Sequence, residues 1–225
     1  MRRVKRFAIV VLAATCLLSA GCYYDPVKLL GQDAEPPTDK AAAAAGSSTG
    51  SRRVVPPQPV ATNAQAEAQT HRLLDEGFNQ YESGRYDAAI QTCTELLALK
   101  PYSQWAYCLR GCAFHAKGDY AAAVRDQTAA IACKPDFAEA YCYRALAYVE
   151  AGQLAYAIAD GTTAIALRSD FAEAYYYRGL AYFKRRDYTK SLRDLRTAAD
   201  LGLAIDPDLL ASARKLAEAQ VAEDN

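Results

Sequence analysis

Residues 138–152 read AEAYCYRALAYVEAG, and residues 172–186 repeat them with few changes as AEAYYYRGLAYFKRR. The two segments lie 34 residues apart, and the same spacing extends over residues 70–205 as four copies. Small residues recur in two columns of this alignment, at Gly77, Gly111, Ala145 and Gly179, and at Ala89, Ala123, Ala157 and Ser191. A chain that repeats at this period is expected to stack its units, each burying an apolar face against its neighbours.

Each copy reads as two helices joined by a turn. Gly84, Gly118 and Gly152 occupy the turn, where positive φ costs glycine little, and Arg186 takes that place in the fourth copy. Pro101 and Pro135 are expected to end second helices. The spacing predicts first helices near 70–83, 104–117, 138–151 and 172–185. It predicts second helices near 86–99, 120–133, 154–167 and 188–201, and a capping helix over 207–222.

These columns resemble the tetratricopeptide repeat (TPR) family, whose unit is a helix-turn-helix of this length. The resemblance implies an all-α, right-handed TPR solenoid. It divides the chain into repeats at 70–103, 104–137, 138–171 and 172–205, with a capping helix and polar tail at 206–225. In that family the first helices line a concave groove that binds a peptide or a partner helix.

The resemblance also implies which residues face the groove. They are Leu74, Phe78, Tyr81, Trp105, Cys108, Cys112, His115, Cys142, Leu146, Val149, Tyr176, Leu180 and Phe183. The charged members of the same face are Glu82, Glu139, Glu150, Glu173 and Lys184. TPR proteins that clamp a C-terminal carboxylate place several basic and amide side chains there, so this chain is not expected to bind that ligand.

The first 22 residues predict export. Four basic residues precede an apolar run over 7–18, and Ser19, Ala20, Gly21 and Cys22 follow. The run is shorter than the roughly 20 apolar residues that span a bilayer, as in a secretory signal peptide over 1–21. The last part resembles a bacterial lipobox, which implies cleavage after Gly21 and acylation of Cys22. Tyr23 stands where an Asp would retain the protein, so the resemblance implies a lipid anchor in the outer membrane, facing the periplasm. An ordinary cleaved signal is the alternative.

Residues 22–69 follow as a linker rich in Pro, Ala and Ser, a composition that cannot bury a core. Its length corresponds to an end-to-end distance of about 35–40 Å for a flexible chain. Removal of the signal leaves 22 basic against 26 acidic residues, a net charge of −4. That balance does not favour nucleic acid as a partner.

Few residues suggest catalysis. The chain has two histidines and lacks a glycine-rich phosphate loop, a nucleophile elbow and an HExxH motif. We therefore expect no enzymatic activity and no cofactor other than the lipid on Cys22. Cys108, Cys112 and His115 share a helix face at spacings that could hold a soft metal or a redox site. Packing as small apolar residues is the competing interpretation, and a disulfide between Cys112 and Cys142 is a further one.

Two charged columns repeat 16 residues apart. Arginines occupy the first and aspartates the second, at Arg110, Arg144 and Arg178, and at Asp126, Asp160 and Asp194. The arginines stand where a TPR unit packs an apolar residue, and an unpaired buried charge is costly, so we expect ion pairs. Each Asp could meet the Arg of its own repeat or of the next one.

The sequence thus predicts a non-catalytic, membrane-tethered adaptor that binds a segment of an envelope protein, in an assembly, scaffold or pilotin-like role. Two alternatives remain open at this stage. One is a metal or redox module on the groove cysteines, and the other is a scaffold that associates with its own copies.

Overall fold

A computed structural model describes residues 63–223, which form helices and short turns with no β-strand. Four helix pairs follow one another, and a ninth helix packs on the last pair. The pairs are α1 (Asn63–Glu82) with α2 (Tyr86–Leu99), α3 (Gln104–Lys117) with α4 (Tyr120–Cys133), α5 (Ala138–Glu150) with α6 (Leu154–Leu167), and α7 (Ala172–Lys184) with α8 (Tyr188–Asp200). The final helix is α9 (Pro207–Glu223).

The helices pack as a stack of hairpins. Within each pair the two helices contact each other, and each second helix also contacts the first helix of the next pair. First helices touch along the stack as well, α1 with α3, α3 with α5, and α5 with α7. This arrangement confirms the all-α, TPR-like solenoid that the repeat predicts. No described helix is both long and apolar enough to cross a membrane.

The turn inside each pair follows one geometry. Gly84, Gly118 and Gly152 have positive φ values between 74° and 87°, and the non-glycine Arg186 adopts the same conformation at 66°. The residue after the glycine is the N-cap of the second helix, which begins one residue later. Asp119 shows this role, because its carboxylate accepts a hydrogen bond from the Ala122 amide at 2.9 Å. The repeat therefore encodes both the end of one helix and the start of the next.

Small residues allow the two helices of a pair to approach closely. A Cβ atom added at Gly111 would lie 2.7 Å from Gln127 Nε2 and 3.3 Å from the Ala123 carbonyl oxygen. Ala89, Ala123 and Ala157 are buried at the corresponding position of the second helices. The columns of small residues are thus crossing points of helices, as the alignment predicts.

Two features differ from the sequence prediction. Helix α1 begins at Asn63, so residues 63–69 belong to it and not to the linker. The segment NAQAEAQ consists largely of strong helix formers after the last proline of the linker, Pro59, which explains the earlier start. The connections between pairs also contribute to the core, since Phe137 and Phe171 are almost fully buried. The signal peptide, Cys22 and the linker up to residue 62 lie outside the described residues.

Candidate functional site: the groove of the first helices

Helices α1, α3, α5 and α7 form a continuous face, because each contacts the next along the stack. Nine of the thirteen predicted groove residues are partly exposed on it: Leu74, Phe78, Tyr81, Trp105, His115, Leu146, Tyr176, Leu180 and Phe183. Eight of these nine are aliphatic or aromatic side chains without a formal charge or amide group, and the ninth is His115. Such a surface suits the apolar side of a peptide or helix.

The other four predicted groove residues are buried. Cys108 and Cys142 are 0% exposed, Val149 is 1% exposed and Cys112 is 9% exposed. The prediction that these four side chains line the open surface of the groove is wrong. The neighbouring first helix covers them, and cysteine packs well as a small apolar residue at such contacts. These four residues support the groove from beneath and do not offer a surface to a ligand.

Trp105 forms part of the wall of the groove and part of the core. Its ring meets the ring of Phe137 edge-on, with centroids 4.7 Å apart, in a cluster with Cys108 and Cys112. Tyr81 and Tyr143 pack against the same cluster. An edge-to-face aromatic pair stabilises a fold beyond the area it buries. Trp105 therefore contributes to stability as well as to the groove surface.

Tyrosines of the first helices pack beneath the groove, where Tyr177 is only 8% exposed. Burial raises the pKa of Tyr81, Tyr143 and Tyr177 above the ordinary value, and these phenols also raise one another's pKa, as Tyr81 does for Tyr177. Tyr81 of α1 and Tyr143 of α5 pack against the same core cluster, and Tyr177 of α7 belongs to another. Tyr143 and Tyr177 were missing from the predicted groove set. Both tyrosines directly follow a predicted groove residue, at positions 142 and 176, and this place in the repeat could have identified them.

Four of the five cysteines in the described part of the chain are buried. All five in the described part of the chain are free thiols, so the disulfide between Cys112 and Cys142 is absent from this structure. No group of three potential metal ligands was found among residues 63–223. The pKa of Cys108 is raised mainly by a hydrogen bond with Cys112 and also by burial. Burial raises the pKa of Cys142. Thiolate formation, which metal binding and redox chemistry both need, is thereby opposed.

Apart from Glu82 on α1, the predicted charged residues of the groove lie on α5 and α7. Arg168 Nη1 lies 2.7 Å from Glu139 Oε1, and the guanidinium stacks over the Phe171 ring at 3.5 Å from its centroid. Lys184 Nζ donates to the Val149 carbonyl at 3.1 Å and lies 3.9 Å from Glu150. Glu173 is buried, and burial raises its pKa. Three carboxylates and two cations thus lie in this part of the groove, and the third carboxylate, Glu173, is the buried one.

A separate ladder of charges joins the repeats behind the groove. Arg110, Arg144 and Arg178 each bind the Asp of their own repeat through Nε and Nη2, at 2.7 Å and at 2.9–3.0 Å. This settles which Asp each Arg meets. Each arginine also makes a third hydrogen bond, which the sequence analysis did not predict. Each Nη1 donates to a threonine of the preceding second helix, at 3.0–3.1 Å, and these threonines are Thr94, Thr128 and Thr162. The 34-residue spacing of these threonines was the feature of the sequence that indicated a repeated contact.

Two family models match the sequence. One, described as a tetratricopeptide repeat, covers residues 106–137, and the other, described as a TPR repeat, covers residues 145–185. Both describe repeats, and neither is an enzyme family. No curated protein matches the sequence significantly.

Solved structures with similar folds include proteins described as TPR proteins. A crystal structure of MamA is 26% identical, with a TM-score of 0.54, over 59% of this chain and 77% of that chain. A thermophilic TPR protein of Thermus thermophilus is 24% identical, with a TM-score of 0.57, over 68% of this chain and 89% of that one. The first TPR of Spaghetti (RPAP3), bound to an HSP90 peptide, is 23% identical, with a TM-score of 0.50, over 52% and 92% of the two chains. The protein therefore carries tetratricopeptide repeats and folds as an all-α TPR solenoid.

Proposed function

We propose that this protein is a non-catalytic adaptor whose groove binds an extended or helical segment of another cell-envelope protein. The observation that carries the proposal is the row of partly exposed apolar and aromatic side chains along α3, α5 and α7, including Leu146, Tyr176, Leu180 and Phe183. Buried aromatic anchors contribute much of the binding energy at protein interfaces. The RPAP3 structure shows a peptide bound to a TPR domain of the same fold.

The ligand is expected to differ in charge from that of RPAP3. The peptide in that complex, SRMEEVD, is acidic at its C-terminal end. Here Glu150 and Glu173 lie on the groove face, and Lys184 and Arg168 are already held by groups of this chain. An acidic peptide end would meet like charges, which costs free energy at an interface.

Crosslinking from single positions tests the groove. A photoreactive phenylalanine derivative would replace Tyr176, which is partly exposed on α7 and faces the groove, in the full-length protein. The matched control replaces Tyr156, a 64% exposed tyrosine of the second helix α6. We expect crosslinks from position 176 to one recurring segment of an envelope protein, identified by mass spectrometry, and none to that segment from position 156. Equal crosslinking from both positions, or crosslinks from position 176 to this chain itself, would contradict the proposal.

Anchoring to the outer membrane is the second part of the proposal, and it rests on the sequence alone. We infer that Cys22 carries the lipid and that the linker lets the helical stack reach a partner at some distance from the outer membrane. Two or three acyl chains suffice for stable anchoring, whereas one gives only marginal binding. Cys22→Ser should release the protein into the soluble fraction and block cleavage after Gly21. A variant that stays in the membrane after salt and carbonate washes would refute the lipid anchor.

A further inference from the structure

Glu139 and Glu173 occupy the same position in consecutive repeats, at the second residue of α5 and of α7. The partner of Glu139 comes from 29 residues later in the same repeat, where Arg168 Nη1 donates to its carboxylate at 2.7 Å. The corresponding residue for Glu173 is Gly202, which has a φ of 94° and no side chain. The repeat thus supplies a cation to the first glutamate and omits it for the second.

Glu173 is nevertheless buried, so its negative charge needs a cation or hydrogen bonds to stabilise it. Its exposure is 7%, and it forms no ion pair with any described residue. Its own backbone amide and the more distant Arg168 stabilise the carboxylate in part, but burial outweighs them and raises its pKa. A buried charge is costly unless an opposite charge or hydrogen bonds offset it. One guanidinium therefore serves two carboxylates, and Glu139 receives its hydrogen bond.

The position of Glu173 on α7 connects it to the groove. Residues 173, 176, 180 and 183 share one helix face, so Glu173 lies in line with Tyr176, Leu180 and Phe183. Tyr177 and Cys142 are close enough to Glu173 for its charge to raise their pKa. Glu150 and Asp206 act on Tyr176 in the same way, so further negative charge lies near this end of the groove.

We propose that the groove binds a segment with a basic side chain, arginine or lysine, and that Glu173 is the anion that receives it. This inference rests on the proposed peptide-binding function and specifies the chemistry of the ligand. A guanidinium or ammonium group would supply the charge that Gly202 does not. The neighbouring Tyr176 ring offers a face for the cation, an arrangement that this chain already uses where Arg168 stacks on Phe171.

The test uses peptides selected on the full-length protein. Random 12-residue peptides displayed on phage would be enriched on the wild type, and the strongest binder synthesised with arginine or with its neutral isostere citrulline at the basic position. Binding would then be measured for the wild type, Glu173→Gln and Glu150→Gln. The last variant removes one negative charge from the same groove, but one that already lies near Lys184. Thermal melts by circular dichroism would verify that all three proteins fold.

We expect the wild type and Glu150→Gln to bind the arginine peptide about tenfold more tightly than the citrulline peptide, the ratio that a single charge-assisted hydrogen bond typically produces. Glu173→Gln should bind both peptides with affinities within about twofold of each other. The arginine-to-citrulline ratio of the wild type alone keeps the test informative if Glu173→Gln does not fold.

Several outcomes would overturn the inference. Enriched peptides without a basic residue, or a Glu173→Gln protein that still prefers arginine, would show that Glu173 does not receive a cation. An equal loss of preference in Glu150→Gln would assign the effect to overall charge. Sedimentation of the wild type as a dimer and of Glu173→Gln as a monomer would make a second copy the occupant. Failure to enrich any peptide would instead contradict the proposed function itself.

Discussion

Arg144 on α5 binds Asp160 on α6 through two parallel hydrogen bonds of 2.7 and 2.9 Å, and its remaining nitrogen reaches Thr128 on α4 at 3.0 Å. One side chain thereby joins the two helices of its own repeat to the repeat before it. The threonine hydroxyl donates in turn to the Val124 carbonyl at 2.7 Å, so the chain of hydrogen bonds continues into the backbone. Bidentate arginine–carboxylate pairs are among the strong hydrogen-bonded interactions in proteins.

Removal of Arg144 should therefore destabilise the stack. The Asp160 side chain is only 10% exposed and would be left without its cation. We expect Arg144→Ala to lower the free energy of unfolding by about 3 kcal/mol, and Thr128→Val by about 1 kcal/mol. Urea unfolding followed by circular dichroism measures both. Arg125→Ala, on the exposed side of α4, is the control and should stay within about 0.5 kcal/mol. A similarly small loss for Arg144→Ala would show that the ladder is not stabilising.

The turn at Arg186 offers a stabilising substitution. Its φ of 66° is one that glycine adopts freely, and glycine occupies this column in the other three repeats. The left-handed conformation costs a non-glycine residue about 1–2 kcal/mol. We expect Arg186→Gly to raise the free energy of unfolding by about 1 kcal/mol, less the entropy that glycine gains in the unfolded chain. The reverse change in the same column, Gly152→Arg, should lower it. Equal stabilities of all three proteins in urea would contradict this account of the turn.

The cysteines should differ in reactivity. Cys133 is partly exposed at the end of α4, whereas Cys93, Cys108 and Cys142 are 0% exposed. A hydrogen bond with Cys112 and burial raise the pKa of Cys108, and burial raises the pKa of the other three thiols, so the difference in exposure is what separates Cys133 from the rest. Thiolates react and buried thiols do not, so iodoacetamide should label Cys133 at least about tenfold faster than these three in the native protein. Peptide mass spectrometry of a labelling time course measures the rates, with labelling in urea as the control. Rapid labelling of Cys108 in the native state would show that the groove floor is open.

Alkaline pH should destabilise the fold. Burial raises the pKa of Cys93 from 9.0 to about 12, and it raises the pKa of Tyr143 and Tyr177 above the ordinary value of 10.0. The unfolded chain therefore loses these protons at lower pH than the native protein. Stability is then fully present below about pH 9 and falls as the pH rises through the folded values.

Urea unfolding at about pH 8 and at about pH 10.5 checks this expectation, since the lower value precedes the titration and the higher one lies within it. Absorbance of the tyrosinate form at each pH shows whether the buried phenols of Tyr143 and Tyr177 ionise as the fold is lost. Unchanged stability between the two pH values would contradict the burial of the phenols and thiols.

The period of the sequence predicts the helices closely. The observed bounds of α2, α3, α4 and α6 equal the predicted ranges, because the turn glycines and the small residues at helix crossings recur at fixed positions. Helix α1 was less predictable. Its first residues have no counterpart in a preceding repeat, and their helix propensity was hidden by the composition of the adjacent linker.

The groove was predictable only in part. Position in the repeat indicates which residues turn toward the first-helix face, as for Tyr176 and Phe183. It does not indicate how far the neighbouring helix covers that face, which decides that Cys142 is buried and Tyr176 is not. The partners of charged residues pose the same difficulty. Arg168 reaches Glu139 and the corresponding partner of Glu173 is a glycine, a difference that depends on the connection after α8 rather than on the groove itself.

Helix α9 is attached to the stack differently from the other helices. The arginine and threonine columns do not continue to this junction, where Ser212 and Arg196 take the two positions. Gln220 makes the connecting hydrogen bonds instead. Its side-chain oxygen accepts from the Tyr188 amide at 3.0 Å, and its nitrogen donates to the Arg186 carbonyl at 3.2 Å. A neutral amide replaces the ion-pair ladder at this junction. Because few such contacts hold it, we expect α9 to open locally more often than the helices that Arg110, Arg144 and Arg178 join, and its amide hydrogens to exchange with solvent sooner.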